Sequence, residues 1–293
     1  MDRAGLCHFA TLAPHMLALA EPDGRHWSRG ELCREASRLA HGLAQRGVRA
    51  GERLALAMAN RAETIALALA AQRLQCSLLV LPAQLAQERA GARAVEAGAT
   101  YLFCSDGHPA AGRETDPGPV TAISLGSPQA CLSYSDLLVA TDLLPASAND
   151  ADALSGIDAA REMLAPLQIR PESGHVHYCG TPLWRDDALA RALAFLHFGH
   201  PVILEGSWSP ARMLHSLQQY QATTCQLDRD QVELLLAAVP HLPPSQQIAL
   251  DYLFPGDVDK GDALCHALHK WCGDSTHVGT SAQPATALPL RSA

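Results

Sequence analysis

Between Gly51 and Pro82 the chain reads GERLALAMANRAETIALALAAQRLQCSLLVLP, two short apolar runs flanking a stretch rich in Ala and Leu. Residues 53–58 and 76–81 have the continuous apolar character of strands buried on both faces. Residues 62–74 contain no glycine or proline and predict a helix. Asn60 is placed to cap it, and Glu63 follows three positions later as in a capping box. Ile65 and Leu69 then mark an apolar side and Gln72 with Arg73 a polar one. Strand, crossover helix, strand implies two adjacent parallel strands, so the chain is read as α/β.

The flanking sequence extends that rhythm. Residues 6–20 read as one apolar helix. After the Pro22-Asp23-Gly24 turn, Ser28 and Glu31 form a capping box for a helix through Gln45, which Gly47 stops. Beyond Pro82, residues 84–97 predict a helix, 100–104 a strand, 105–118 a loop, 120–125 a strand and 134–139 a short element. Residues 141–158 carry the weakest pattern and are read as linker or surface loop. A second alternation follows, with strands at 175–179, 201–204, 223–227 and around 253. Its helices are expected at 186–198, at 209–220 with Ser209 as cap and Pro210 first in the helix, at 229–239 and at 262–271. The expected fold is therefore two α/β lobes with mostly parallel sheets. The first spans 1–150, a linker or degenerate phosphate-loop region 151–172, the second 173–281, and a loose tail 282–293.

Composition narrows the function classes. A net charge of −8 with no Lys/Arg block argues against nucleic acid as a partner. Arg73 and Gln75 interrupt the longest apolar neighbourhood, 62–82, so no membrane span is expected. The first residues carry no export pattern, and nine cysteines form no disulfide framework, which reads as reduced thiols in a cytoplasmic protein. The sequence has no G-x-S-x-G, G-x-G-x-x-G or C-x-x-C, so esterase, dinucleotide and redox-motif readings lack a foothold.

Clusters of reactive side chains are read mainly as structural. Cys265, His269 and Cys272 share one face of the last helix with His266 beside them, but ligands spread over about 10 Å of rigid helix cannot meet on one ion. His175, His177 and Cys179 alternate on one face of a strand, where packing or a ligand contact is expected rather than a metal. His197 and His200 flank Gly199 as cap or packing residues. Asp228, Arg229 and Asp230 open a helix, Trp27 and Trp184 anchor packing, and Asp257, Asp259 and Asp262 form a solvated acidic loop. No metal is expected.

Several of these landmarks fall in a recognisable order. Trp27-Ser28-Arg29-Gly30-Glu31-Leu32, Leu39-Ala40 with Leu43, Gly47 through Ala55, and then Asn60 resemble the amino-terminal signature of the adenylate-forming family, the acyl- and aryl-CoA synthetases and adenylation domains. Thr181-Pro182-Leu183-Trp184 resembles the family's "PLFH" segment, and Phe198 through Leu204 its "GG-x-V-V-L" strand. Ser209-Pro210, Leu214 and Tyr220-Gln221-Ala222-Thr223 are similar to the helix that follows. The resemblance covers roughly residues 20–281.

It implies ATP-dependent activation of a carboxylate to an acyl-adenylate, followed by transfer to a thiol. It also implies a Ser/Thr/Gly-rich phosphate loop ending in Pro-Lys-Gly, yet Leu164 through Gly174 has one glycine and no lysine. The family's Y-G-x-T-E would fall on Val278-Gly279-Thr280-Ser281-Ala282, where Ala282 replaces a carboxylate needed for magnesium. The sequence stops eleven residues later, ahead of the ribose-binding aspartate, hinge and small domain that the resemblance implies. The expectation is a truncated large domain with no catalytic residues and no cofactor, serving as a binding, scaffolding or regulatory subunit. Tyr178, Gly180, Thr181, Trp184, Thr224 and Gln226 would line its acyl or aryl pocket, and Gly279, Thr280, Ser281 and Ala282 would be the degenerate nucleotide motif. Self-association or docking on a biosynthetic enzyme is preferred over a carrier protein as partner. The alternative is one half of a split carboxylate ligase, completed by a partner polypeptide and using ATP and Mg.

Overall fold

The stretch 51–82 folds as strand, helix, strand, with its two strands side by side and parallel. The computed structural model describes residues 5–21, 23–85, 87–105, 120–125, 132–138, 150–185, 187–238, 250–256, 262–272 and 276–278. In chain order the first half holds α1 (Leu6–Leu12), β1 (Leu17–Ala20), β2 (His26–Ser28), α2 (Arg29–Gln45), β3 (Arg53–Ala57), α3 (Ala62–Arg73), β4 (Ser77–Val80), α4 (Gln87–Glu96), β5 (Ala99–Cys104), β6 (Thr121–Ser124), β7 (Leu132–Ser133) and α5 (Tyr134–Leu137). The second half holds α6 (Asp150–Leu164), β8 (His177–Cys179), α7 (Ala188–His197), β9 (Val202–Leu204), α8 (Pro210–Gln219), β10 (Thr224–Leu227), α9 (Arg229–Ala238), β11 (Tyr252–Pro255), α10 (Ala263–Cys272) and β12 (His277–Val278).

The strands form two sheets. One is wholly parallel, in the order β4-β3-β5-β6-β7. The other runs β12-β11-β10-β8-β9-β1-β2 and is parallel except where β2 returns beside β1. In the smaller sheet the chain starts on β3, adds β4 to one side and then crosses to β5 on the other; in the larger, after the β1–β2 hairpin at one edge, β8 is followed by β9 on one side and β10 on the other. That reversal lies between β3 and β5 in one sheet and between β8 and β10 in the other, the doubly wound arrangement. The fold is α/β with mostly parallel sheets, as expected.

One core joins a face of each sheet through α2, α3 and α7, with Leu39, Leu43, Ile65, Leu69 and Phe195 among its buried residues. A second lies under α8, α9 and α10 against the opposite face of the larger sheet, and a third under α4. Local caps follow the sequence. Ser28 Oγ accepts from Glu31 N at 3.2 Å while a Glu31 oxygen accepts from Ser28 N at 2.8 Å. Ser209 Oγ accepts from Arg212 N at 3.3 Å, with Pro210 in the first turn of α8. Among the described residues, no helix is long and apolar enough to cross a membrane.

Four expectations are corrected. Residues 6–20 are not one helix: α1 ends at Leu12, just before Pro14, whose ring cannot continue it, and residues 17–20 become β1 by pairing antiparallel with β2 and parallel with β9. Residues 150–158 belong to α6 rather than to a linker, its Ile157, Ala160 and Leu164 packed inward (residues 139–149 lie outside the described residues). Gly156 interrupts the pattern in sequence but lets the helix approach Gln72 and His197, since a Cβ there would lie 3.3 Å from each side chain. α3 has no solvent face: Ile65 through Ala71 are all buried, as a helix enclosed by α2, α6 and α7 requires. Finally, Asn60 does not cap α3. Its side chain reaches instead into the other half of the chain.

Candidate functional site

In doubly wound sheets a ligand crevice forms beyond the carboxyl ends of the strands at the point of reversal, where successive connections leave in opposite directions. Both such points meet here. Asn60, three residues past β3, donates from Nδ2 to the Thr181 carbonyl at 2.9 Å and accepts from Leu183 N at 2.7 Å. Thr181 and Leu183 lie just past β8 and are almost wholly buried. Beside them Glu21, at the end of β1, accepts from Arg25 at 2.8 Å and from Ala62 N at 3.3 Å, and Arg25 also reaches Glu63.

Across the reversal, Gly180 N donates to the Gln226 carbonyl at 3.0 Å, and the Gly180 carbonyl accepts from Gln231 Nε2 at 2.7 Å. Gln231 and Asp228 cap each other at the start of α9, each backbone N–H donating to the other's side chain at 2.9 Å. A Cβ on Gly180 would lie 2.9 Å from the Tyr178 ring and 3.0 Å from Leu227 and Trp208, so only glycine fits between them. Tyr178 Oη is 3.4 Å from Glu205, the first residue after β9. The Trp184 ring lies under the Arg185 guanidinium, 4.9 Å away, and Arg185 is 3.9 Å from Asp228.

Several polar atoms at these strand ends are buried without a hydrogen-bond partner among the described residues: Thr181 Oγ1, Glu205 Oε1, Trp208 Nε1 and both ends of the Gln226 amide. Leaving such an atom unpaired costs about 1–3 kcal/mol. Burial, reinforced by the Glu205 charge, holds the Tyr178 phenol far above its ordinary range. Burial also raises the Glu205 carboxyl and pushes the Cys179 thiol up to about 12. Desolvated groups of this kind suit hydrogen bonding to a bound molecule better than nucleophilic attack.

The structure thus brings Tyr178, Gly180 and Thr181 together, with Trp184 in the loop beyond, whereas Gln226 is in register with Cys179, on the sheet face opposite to Tyr178. Thr224 lies deeper, its hydroxyl 2.9 Å from His177 Nδ1 inside the sheet. Glu205, Trp208, Gln231 and Asn60 were not anticipated here. The signal for Glu205 was present, an acid directly after the apolar run Val202-Ile203-Leu204. Replacing Asn60 by Ala strips partners from two buried backbone groups and is expected to destabilise the protein by about 2 kcal/mol. An unchanged urea midpoint for Asn60→Ala would show that the bridge contributes nothing.

His177 and Cys179 face the core shared by the two sheets, and Tyr178 faces the opposite one. His177 stacks on Phe195 with ring centroids 4.3 Å apart, and His175 bonds Thr223 at 3.0 Å. Cys265 is buried in the core under α10 with Cys272 partly buried, and the His269 side chain lies outside the described residues. No three His, Cys, Asp or Glu side chains among the described residues are grouped to hold a metal ion. Gly279, Thr280, Ser281 and Ala282 lie outside the described residues, as do Asp257 and Asp259.

The segment 164–174 completes α6 and continues along the surface, with Leu164 and Ile169 buried. Residues 165–167 form a short 3-10 turn, and Gln168 N and Ile169 N donate back to the Ala165 and Leu164 carbonyls. Glu172 N donates to Phe198 O and Ser173 N to Arg170 O.

Comparison with known proteins supplies a frame for this geometry. Residues 8–154 match the family described as AMP-binding enzyme. No curated protein matches the chain. A long-chain-fatty-acid-CoA ligase (FadD1) from Archaeoglobus fulgidus superposes with a TM-score of 0.75 at 12% identity, over 95% of this chain and 64% of that one. The unliganded o-succinylbenzoate coenzyme A synthetase (MenE) from Bacillus subtilis gives 0.68 at 17%, over 90% and 58%. The N-terminal domain of FACL13 from Mycobacterium tuberculosis gives 0.74 at 16%, over 94% and 74%. At these identities the likeness is one of fold, and the chain spans less than two thirds of the first two proteins.

Proposed function

As the chain belongs to the AMP-binding enzyme family, we propose that it is a catalytically degenerate member acting as a binding, scaffolding or regulatory subunit. The carrying observation is the segment 164–174. A phosphate cradle needs several backbone N–H groups free to converge on the anion, with a lysine to add charge. In this segment four N–H groups donate to carbonyls of the protein, two apolar side chains are buried, and no lysine is present. The residues do not fit a triphosphate, and no catalytic step is assigned to one.

A ligand would sit beyond the carboxyl ends of β8, β9 and β10, where the strand order reverses. The unpartnered Thr181, Glu205 and Trp208 atoms, near the Tyr178, Leu227 and Trp208 side chains around Gly180, suit a mostly apolar ligand with one polar end. A carboxylic acid or its thioester has that form. Self-association or docking on a biosynthetic enzyme would put such binding to use.

The test is ATP–pyrophosphate exchange by the pure chain with a panel of fatty and aromatic acids. The expected result is no acid-dependent exchange. Clear exchange would overturn the proposal, because loss of a cradle's charge-assisted hydrogen bonds, each about 1.5–3 kcal/mol, is incompatible with efficient adenylation. The alternative is a split ligase completed by another polypeptide, with exchange appearing only on mixing. The segment 164–174 weighs against it, since a partner would have to replace a loop inside this chain.

A further inference from the structure

On the far side of the molecule's first core, three elements bring together groups unrelated to the crevice. Cys7 of α1 and Cys33 of α2 place their sulfur atoms 2.8 Å apart, with the Cys33 thiol donating to Cys7. Arg73, the last residue of α3, sets Nη2 at 2.7 Å from Cys7 Sγ and 3.1 Å from Cys33 Sγ. Its Nη1 donates to Ser37 Oγ, and that hydroxyl donates to the Cys33 carbonyl at 2.7 Å, fixing the guanidinium in place. Arg73 forms no ion pair with a carboxylate among the described residues. A partly buried guanidinium without a carboxylate favours a negative charge nearby, and the two sulfurs are the atoms it touches.

The two cysteines differ in a way that divides the roles. Cys7 is exposed and Cys33 is buried. The Cys33 hydrogen bond, helped by Arg73 and opposed by burial, lowers the Cys7 thiol to about 6, while the same contact pushes Cys33 up. An accessible thiolate next to a protonated second thiol is the arrangement that peroxide chemistry uses.

We propose that Cys7 and Cys33 are a redox-active pair that a hydroperoxide converts to an intramolecular disulfide. The Cys7 thiolate attacks one peroxide oxygen, the O–O bond breaks, and the other oxygen leaves as an alkoxide or hydroxide that takes up a proton. This gives sulfenic acid at Cys7. The Cys33 sulfur then attacks the Cys7 sulfur, the S–S bond forms, and the sulfenic hydroxyl departs with the Cys33 proton as water. Two thiols lose two electrons, and one hydroperoxide is reduced to an alcohol (or water) plus water. The product ties α1 to α2 and removes the anion that Arg73 faces. This inference is independent of what binds in the crevice.

The test uses the full chain, first reduced and then treated with hydrogen peroxide at pH 7. Peptide mapping without reductant is expected to show a Cys7–Cys33 cross-link, with intact mass lower by two hydrogens and restored by dithiothreitol. In the reduced protein, alkylation of Cys7 by iodoacetamide should reach half its plateau rate near pH 6. Arg73→Met should move that midpoint upward, and Cys33→Ser should leave a sulfenic acid at Cys7 that dimedone traps. A midpoint at or above pH 8 in the unmodified sequence, or oxidation that leaves Cys7 and Cys33 unlinked, overturns the proposal.

Discussion

Gly42→Ala is expected to destabilise the protein by about 3 kcal/mol, although Gly42 sits inside α2, where alanine is the better helix former. Two effects compete. Relief of glycine's conformational entropy favours Ala by about 1 kcal/mol. Against it, a Cβ at this position would fall on the carbonyl oxygen of Leu137 and lie 2.8 Å from its carbonyl carbon. Those are backbone atoms and cannot rotate aside. Leu137 ends α5, which is held by its own capping box between Ser133 and Asp136 and by Arg46 donating to the Asp136 carbonyl at 2.9 Å. Relieving the overlap means moving α5 away from α2 and opening the core around the fully buried Leu137. Overpacking therefore wins. Urea unfolding of Gly42→Ala beside the unmodified protein measures the balance, and equal or greater stability in the variant would mean that the two helices can separate at little cost.

The second large effect is acid sensitivity. Burial pushes His197 and His200 down to about 4, with Arg73 adding to the effect at His197 and the Arg170 carbonyl opposing it at His200. His177, flat against Phe195, is also held well below its ordinary value by burial and by Arg191. An unfolded histidine titrates near 6.5, so between about 6.5 and 4 the unfolded chain binds protons that the folded chain excludes. Stability from these residues is fully present above about pH 6.5 and falls as pH drops through that window. The loss reaches about 3 kcal/mol each for His197 and His200 at its lower end. Glu21, Glu35 and Glu205, raised by burial, act in the opposite sense through smaller shifts. Urea midpoints at pH 7, 6 and 5 are expected to fall steadily, less steeply in His200→Gln. A midpoint that stays flat across this range would refute the assignment.

The parts legible in the sequence were those fixed by neighbours along the chain. The Ser28–Glu31 box, the Ser209-Pro210 start and the parallel pair at 53–57 and 77–80 each depend on residues within one element or one crossover. What could not be read depended on contacts over long separations. Leu17 through Ala20 looks helical by composition, and pairing with β2 on one side and β9 on the other makes it a strand. α6 has an acidic, glycine-interrupted start, and its helical form rests on packing against α3 and α7. The crevice divides in the same way. Gly180 and Thr181 stood out because a strand ends there, whereas Asn60 was assigned to its own helix and in fact bridges 121 residues to Thr181. Glu205 was overlooked because an acid after a strand resembles a surface turn until its burial is known.

The parallel pairing of β1 with β9 also has a temporal side. Leu19 and Ala20 pair with Val202 and Ile203, so about 180 residues must leave the ribosome before the first strand finds its parallel neighbour. At 5–20 residues per second that interval is about 10–35 s. Throughout it, β1 presents Leu19, fully buried in the finished protein, with only the β2 hairpin as sheet company. The smaller sheet, made entirely from residues 53–133, can close much earlier. The nascent chain therefore passes through a stage with one sheet complete and an apolar amino-terminal hairpin unclaimed, the stage at which a holding chaperone would have most to grip.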